Sequence, residues 1–198
     1  LAGLVSEIEI DYQLDYEDIP HFPVSTVESH KGKLIFGTLE GKKVMCMQGR
    51  FHYYEGYDMK EVTFPVRVMK WMGVETLLVS NISGSTNADI QKGDLVLIED
   101  HINLHLESPL RGPNLDEFGP RFPDLIAPYS RRLIDIAKKV AKEHGIRAHE
   151  GVYSSVAGPH LETRAEYVYL NKIGADCVGM STVPEVIVGV HCGMEIFA

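Results

Sequence analysis

Cysteine and long hydrophobic runs are both scarce in this sequence. The chain has only three cysteines, Cys46, Cys177 and Cys192, which are widely spaced and set among apolar residues. An odd number in such surroundings is typical of reduced core thiols rather than of a disulfide framework or a metal site. No apolar stretch approaches the roughly 20 residues that span a bilayer, and no signal-peptide pattern opens the chain. We therefore expect a cytoplasmic protein with no membrane partner.

Positive charge is also in short supply. Lysine and arginine number 19 against 28 aspartates and glutamates, which gives a formal net charge of −9. This acidic balance argues against nucleic acid as a partner, because the phosphate backbone would be repelled. If the protein binds an anion, the attraction must come from a local cluster of donors.

Short apolar runs alternate with helical patterns along the chain. The runs that predict strands are 34–36, 44–47, 76–79, 95–98, 152–156, 177–178 and 194–198. The patterns that predict helices are 60–72, 130–144, 163–173 and 184–191. This alternation predicts an α/β domain in which helices cover a sheet. Ligands gather at the carboxyl ends of strands in such sheets, so the candidate site lies in the loops 81–87, 157–162 and 179–182.

The two ends of the sequence look cut. Leu1 opens the chain without a lead-in, and residues 194–198 read as a strand that stops before it is complete. A length of 198 residues with 44% hydrophobic content otherwise suits one domain. We therefore expect residues 1–198 to be a single domain that is truncated at both ends.

The most informative segment is DCVGMSTVPEVI at 176–187. Its apolar run breaks at Gly179, and Pro184 then stands just inside a predicted helix, where proline is well tolerated. A strand, a tight turn and a helix start leave backbone N–H groups unpaired, and the helix dipole adds partial positive charge. The turn is therefore a candidate phosphate site with the Ser181 hydroxyl as a further donor. The alternative is that Ser181 or Thr182 only caps the helix.

A basic cluster follows the predicted strand at 44–47. Arg50 and His52 are two residues apart, so both side chains can point the same way. Arginine offers a planar fork of donors that suits phosphate, and His52 and the upstream His30 add donors whose protonation varies near neutral pH. Each charge-assisted contact contributes about 1.5–3 kcal/mol, so three in one pocket would outweigh the net charge. The alternative is an ordinary scatter of basic residues.

The segment GPHLET at 158–163 places a carboxylate just before a predicted helix. Glu162 is either a helix-start acid favoured by the dipole or an acceptor for an N–H edge of a planar heterocycle, with Leu161 over the ring face. Removing the partner of a buried polar group costs about 1–3 kcal/mol, so the carboxylate would reject a base without that N–H by roughly tenfold to hundredfold.

A series of further motifs runs through nearly the whole chain. They are QGRFH at 48–52, EGY at 55–57, VTFPVRV at 62–68, DHINL at 100–104, PLRGPN at 109–114, AGP at 157–159, ET at 162–163 and GMSTVPEVIV at 179–188. In this order they resemble the trimeric purine nucleoside phosphorylase family. The resemblance implies a single α/β domain with a central mixed, partly barrel-like sheet flanked by helices. It also implies reversible phosphorolysis of 6-oxopurine nucleosides in purine salvage, with phosphate as co-substrate and no metal or organic cofactor.

Matched by position, the resemblance also implies which residues form the site. Phosphate would be held by His30, Arg50, His52, Ser181 and the backbone N–H of Ile82. The nucleoside would be bound by Tyr54, Phe122, Leu161, Glu162, Val178 and Met180. The catalytic residues would be His52, Glu55 and Glu162.

Several of these roles are specific. Glu162 would accept the purine N1–H, Tyr54 would bond the ribose hydroxyls and Met180 would pack beneath the sugar. Glu55 would order the loop that carries Arg50 and His52. Phe122, in the long loop at 108–128, would cap the ribose site of a neighbouring subunit in a homotrimer.

The sequence departs from the family pattern at several points. A C-terminal Asn for the purine ring, a His for the 5′-hydroxyl and a Gly-Ser-Gly phosphate loop have no counterpart within residues 1–198. A protein ending at these two residues is therefore expected to be nearly inactive. Ile82 replaces a small residue and is expected to narrow the ribose end of the pocket. Leu161 replaces a commonly aromatic residue, which removes a contact worth about 0.5–1.5 kcal/mol.

Two other functions stay open. One is a 5′-methylthioadenosine phosphorylase, a 6-aminopurine enzyme of the same fold, although such enzymes usually carry Thr at the position of Ser181 and lack the pair Glu162 and Thr163. The other is a non-catalytic nucleoside-binding homologue. Preference for adenosine over inosine would indicate the first, and purine binding without phosphate-dependent turnover would indicate the second.

Overall fold

A computed structural model of the protein describes residues 2–24 and 32–198. The helices are α1 (Ala2–Ser6), α2 (Met59–Trp71), α3 (Arg131–Glu143), α4 (Arg164–Lys172) and α5 (Val183–His191). The strands are β1 (Glu9–Asp15), β2 (Lys33–Leu39), β3 (Lys42–Gln48), β4 (Thr76–Leu78), β5 (Gly84–Ser85), β6 (Leu95–Asn103), β7 (Ala148–Ser155), β8 (Cys177–Gly179) and β9 (Glu195–Phe197). Single 3₁₀ turns form at Tyr16–Asp18 and Tyr53–Glu55.

The strands pair into three sheets within the described residues, with no closed barrel among them. Strands β1, β2 and β3 form an antiparallel sheet, and β4 pairs with β9 in parallel. The third sheet has the order β5-β8-β7-β6, in which β6, β7 and β8 are parallel and β5 is antiparallel to β8. The chain therefore has the predicted mixture of helices and a mixed sheet. The carboxyl ends of β7 and β8 lie at the same edge, which places the loops that follow them together.

Helix α5 lies at the centre of the main core. Its side chains are apolar almost all round, and Val183, Val186 and Val188 are fully buried, as expected of a helix enclosed on every side. Fully burying a valine contributes about 1.5–3 kcal/mol, so burial fixes the helix firmly. The core side chains around it include Val66, Met69, Leu77, Leu97, Ile98, Tyr153 and Ile196. The turn that precedes α5 is consequently held on a rigid element.

Helix α2 packs against α5 and begins at a capping box. The Asp58 carboxylate accepts the backbone N–H groups of Lys60 and Glu61, each at 2.8 Å, and the Glu61 side chain accepts the N–H of Asp58 at 2.8 Å. These bonds satisfy donors that the helix itself leaves unpaired. Pro65 lies inside α2 and is buried, and the predicted helix at 60–72 matches α2 to within one residue at each end.

Replacing Asp58 with alanine is expected to lower the free energy of unfolding by about 1 kcal/mol, because two helix N–H groups lose their acceptor. Urea denaturation followed by circular dichroism measures the change. Asp11→Ala is the matched control, since the 2.8 Å contact of Asp11 with Lys43 is an exposed ion pair and its loss should change stability by less than about 0.5 kcal/mol. Equal losses in the two variants would contradict the capping role.

All the predicted strands and helices are present, but one α-helix and two strands of the described residues were not predicted. They are α1, β1 and β5. The prediction of a loop over the whole of 81–87 is wrong at its centre, because Gly84 and Ser85 pair with Val178 and Cys177 as β5. A two-residue strand has too little side-chain pattern to be seen in sequence, and only its partner defines it.

Candidate functional site

A strained turn connects β8 to α5. Thr182 has φ 72° and ψ −58°, and the N–H of Val183 donates to the carbonyl oxygen of Ser181 at 2.8 Å. These angles and this bond define a classic γ-turn, which is rare for a residue other than glycine. Backbone strain of this kind costs about 1–3 kcal/mol and persists only where surrounding contacts impose it. The turn is therefore a feature that the rest of the fold maintains.

Two side chains hold Thr182 in this conformation. Asn81 Nδ2 donates to Thr182 Oγ1 at 2.9 Å, and the backbone N–H of Thr182 donates to Glu185 Oε2 at 2.9 Å. Thr182 is fully buried and is the N-cap residue of α5. The capping role that the sequence left open between Ser181 and Thr182 thus falls to Thr182, and Ser181 precedes the cap.

Two side chains of strand β7 bind the backbone of Ser181. The N–H of Ser181 donates to the Tyr153 hydroxyl at 3.4 Å, and Ser155 Oγ donates to the carbonyl oxygen of Ser181 at 3.1 Å. Tyr153 is fully buried, and burial raises its pKa to about 12, so it is a neutral phenol near pH 7. Only glycine fits at position 179 beside this ring, because a Cβ there would clash with the Tyr153 hydroxyl.

The structure brings Arg50 to this turn across 131 residues of sequence. Arg50 Nη1 lies 3.4 Å from Ser181 Oγ, and its Nε donates to Glu185 Oε1 at 3.1 Å. The Arg50 and Glu185 side chains are only 20% and 16% exposed, so the ion pair is largely shielded from water. Glu185 therefore fixes the orientation of the guanidinium while its other oxygen holds Thr182.

Glu185 was not predicted as a site residue, although a signal was present. Thr182 and Glu185 form the T-x-x-E pattern of a capping box, which marks the third helical residue as a partner of the turn. The contact between Glu185 and Arg50 joins positions 135 residues apart, and no local pattern reports it.

His52 and Glu55 form a compact pair close to Arg50 in sequence. Glu55 Oε1 accepts the backbone N–H of His52 at 2.8 Å and lies 2.7 Å from His52 Nδ1. The Glu55 side chain is 2% exposed. The Tyr54 ring stacks on the His52 ring with centroids 4.6 Å apart, and burial raises the pKa of Tyr54. Glu55 therefore binds both the backbone and the ring of His52.

The loop after β7 packs on the Ser181 turn through Met180. Gly158 has φ +66°, and a Cβ there would come within 3.0 Å of Met180 Cγ, so only glycine lets the two segments approach this closely. Glu162 lies farther along this loop, near the Tyr167 side chain of α4. Burial, followed by the charge of Glu162, raises the pKa of Tyr167.

A different acid caps helix α4. Glu166 Oε2 accepts the N–H of Thr163 at 2.6 Å, and the N–H of Glu166 donates to Thr163 Oγ1 at 3.2 Å. These two bonds form the capping box of α4. The helix-capping alternative for Glu162 thus loses its main support, since Glu166 forms the capping box and Glu162 precedes the N-cap residue Thr163.

Three large apolar side chains of the predicted site are exposed, and a fourth is not. Ile82, Phe122 and Leu161 are 100%, 87% and 78% exposed, and the Arg121 guanidinium lies 5.7 Å from the Phe122 ring centroid. Val178 is 2% exposed and packs with Leu170 and Ala175, so its side chain presents little surface to a ligand. His30, predicted to bind phosphate, lies outside the described residues.

The described residues contain neither a cluster of metal ligands nor a helix that could span a membrane. Across residues 2–24 and 32–198, no group of three or more His, Cys, Asp or Glu side chains is arranged to hold a metal ion. No helix in this part of the chain has the length and apolar character needed to cross a bilayer. All three cysteines are free thiols.

Known proteins match this chain along its whole length. The family model of the phosphorylase superfamily matches residues 1–198. Purine nucleoside phosphorylase 1 of Bacillus subtilis is 55% identical over 196 residues, which cover 99% of this chain and 72% of that protein. Purine nucleoside phosphorylase of Bos taurus is 50% identical over 202 residues, covering 100% of this chain and 70% of that protein.

Solved structures of similar proteins also match the whole chain. A crystal structure of Schistosoma purine nucleoside phosphorylase in complex with hypoxanthine has a TM-score of 0.95 at 47% identity and covers 100% of this chain and 71% of that one. Isoform 2 of the enzyme from Schistosoma mansoni, in complex with cytosine and ribose-1-phosphate, has a TM-score of 0.94 at 48% identity, with the same two coverages.

Proposed function

The chain belongs to the phosphorylase superfamily, and from this premise we propose that it is a pentosyltransferase that phosphorolyses purine nucleosides. The reaction is reversible and yields the free base and a pentose 1-phosphate, as in purine salvage. Relatives named purine nucleoside phosphorylase are 50–55% identical over nearly the whole chain. The observation that carries the proposal is the approach of Arg50 to Ser181 at the start of α5.

Phosphate is proposed to bind between Arg50 and the Ser181 turn. The guanidinium supplies charge and a fork of donors, Ser181 supplies a hydroxyl, and the start of α5 adds partial positive charge. The backbone N–H of Ile82 and the side chains of His30 and His52 complete the proposed set. This local concentration of donors offsets the net charge of −9, which solvent and salt screen at longer range.

The nucleoside is proposed to lie over Met180, with its base toward Glu162. Tyr54, adjacent to His52, would reach the ribose hydroxyls, and Leu161 would cover the base. Glu162 is a suitable acceptor for the N1–H of a 6-oxopurine, because the oxygens of a carboxylate accept hydrogen bonds from such a group. Val178 would contribute mainly by packing in the core behind this pocket.

Catalysis would rest on electrostatics and orientation. As the glycosidic bond lengthens, the sugar becomes oxocarbenium-like and the base gains negative charge. A phosphate anion held against the sugar stabilises that transition state more than the ground state. Phosphate is already anionic, so Arg50 and His52 orient it rather than remove a proton from it, and Glu55 orders His52 for this task.

The proposal extends to assembly and location. Phe122 is 87% exposed at the surface of the subunit, which suits a side chain that caps the ribose site of a neighbour in a homotrimer. We expect no metal or organic cofactor, because the donors for phosphate are all protein groups. The free thiols and the acidic charge support a cytoplasmic enzyme with no nucleic-acid or membrane partner.

The deciding experiment measures hypoxanthine release from inosine by the full-length protein with and without phosphate. Phosphate-dependent release, with ribose 1-phosphate as the second product, is the expected result. Release without phosphate would mean hydrolysis and would overturn the phosphate site. Preference for 5′-methylthioadenosine or adenosine would favour a 6-aminopurine enzyme, and binding of hypoxanthine without turnover would favour a nucleoside-binding protein.

A further inference from the structure

We propose that His105 is a positioning residue for the phosphate site, acting through Ser155 on the turn at Ser181 and Thr182. The expected effect of His105 on phosphate kinetics rests on the proposed function. The hydrogen bonds that connect His105 to the turn are present in the fold whatever the function of the protein. His105 lies on the segment after β6, and neither a strand pattern nor a motif of the sequence singles it out.

A chain of hydrogen bonds leads from His105 to the turn. His105 Nε2 lies 2.9 Å from Ser155 Oγ, and Ser155 Oγ lies 3.1 Å from the carbonyl oxygen of Ser181. Ser155 is fully buried at the carboxyl end of β7. The same carbonyl accepts the N–H of Val183, so Ser155 supplies the second donor to the central oxygen of the γ-turn.

The two contacts of Ser155 fix the tautomer of His105. A carbonyl oxygen only accepts, so the single hydroxyl proton of Ser155 is directed at Ser181. Ser155 Oγ must then accept from His105, which places the ring proton on Nε2. His105 Nδ1 is buried and has no hydrogen-bond partner among the described residues. Burial also lowers the pKa of His105, so the neutral Nε2–H form is favoured.

His105 also contacts the opposite side of the site. Its ring packs edge-on against Tyr53, with centroids 5.8 Å apart and an interplanar angle of 81°. Tyr53 opens the 3₁₀ turn that carries Tyr54 and Glu55. The backbone of His105 is held as well, because its N–H donates to Asn103 Oδ1 at 3.0 Å. One side chain thus links the turn at Tyr53–Glu55 to the turn that presents Ser181.

This linkage matters because the Thr182 conformation is strained. A strained turn relaxes when the contacts that impose it are removed, and relaxation of Thr182 would rotate the adjoining Ser181 peptide. Ser181 Oγ would then leave its position beside Arg50. His105 and Ser155 are therefore expected to set the affinity for phosphate without touching it.

The test compares Ser155→Ala with Ser154→Ala in the full-length protein. Ser154 is also fully buried on β7, and its hydroxyl has no hydrogen-bond partner among the described residues, so it is a matched control. Ser155→Ala is expected to raise the KM for phosphate by about threefold to tenfold, while the KM for inosine changes by less than about twofold. Ser154→Ala should leave both constants unchanged. Equal shifts in the two variants, or a joint rise in both KM values, would overturn the proposal.

Variants of His105 separate positioning from packing. His105→Ala should raise the KM for phosphate, and His105→Gln should restore most of it, because the glutamine amide can replace the Nε2–H donor. No rescue by glutamine would count against the hydrogen-bond chain. Isothermal titration with inorganic phosphate reports the same differences without turnover, and thermal unfolding shows whether a variant has lost its fold.

A spectroscopic measurement keeps this inference apart from the proposed function. Long-range ¹H–¹⁵N spectra of histidine-labelled protein should show His105 as the Nε2–H tautomer, and Ser155→Ala should shift its ring nitrogens. An Nδ1–H or doubly protonated ring at pH 7 would overturn the positioning role. If the wild-type protein shows this tautomer but no phosphate-dependent turnover, the proposed function fails while the structural linkage stands.

Discussion

Arg50→Ala is expected to lower kcat/KM for phosphate by about 100-fold to 1000-fold, since charge-assisted contacts contribute about 1.5–3 kcal/mol each and truncating a shielded ion pair costs about 2–5 kcal/mol. Two effects combine. Phosphate loses the guanidinium donors, and the Glu185 carboxylate, now without Arg50, faces the anion at the turn. The loss should appear mainly in the KM for phosphate, because the nucleoside contacts lie on other residues.

Two variants control this experiment. Arg50→Lys keeps the charge but loses the planar fork, and it should recover only part of the activity, because an ammonium cannot bond Glu185 and phosphate with the same geometry. Arg111→Ala also removes one positive charge, from a side chain that is 80% exposed, and should leave phosphate kinetics unchanged. An Arg50→Ala enzyme with an unaltered KM for phosphate would place the anion elsewhere.

The turn at Ser181 shows how much of the site the sequence could predict. The break at Gly179 and the position of Pro184 indicated a strand, a turn and a helix, and β8 and α5 occupy those positions. These signals are local, because they depend on which backbone angles each residue tolerates. The sequence indicated Arg50 and Ser181 separately, each as a candidate phosphate ligand, and contained no direct sign that they meet. The structure places the two side chains together.

The contacts that hold the turn could not be predicted in the same way. Tyr153 and Ser155 reach Ser181 from a neighbouring strand, and the sequence presents them only as part of a short apolar run. The strained angles of Thr182 have no sequence signature, since threonine rarely adopts them. Pairing between distant segments decides such contacts, and a single sequence contains no direct record of it.

Val178 illustrates a different limit. The resemblance placed it at the base pocket, and the structure buries its side chain against Leu170 and Ala175. A strand residue that is next to a ligand-binding residue in sequence can face the core, because successive side chains of a strand point to opposite sides of the sheet. Its contribution to base binding stays a prediction.

Glu162→Ala is expected to lower kcat/KM for inosine by about tenfold to hundredfold, because the N1–H of a 6-oxopurine loses a charged acceptor. Adenosine has no N1–H, so its kcat/KM should fall much less or rise, and the ratio of inosine to adenosine use measures the change. Glu166→Ala is the control for helix capping, since Glu166 bonds Thr163 at the start of α4. It should lower stability without altering the ratio.

Tyr167→Phe tests whether the carboxylate itself selects the base. The variant keeps Glu162 but removes the Tyr167 hydroxyl near it, so the carboxylate stays available to the purine. We expect a loss for inosine of less than about tenfold, because the carboxylate that accepts the N1–H is retained. If Glu162→Ala lowered inosine and adenosine use equally, Glu162 would not discriminate between the two bases, and base selection would have to come from another group.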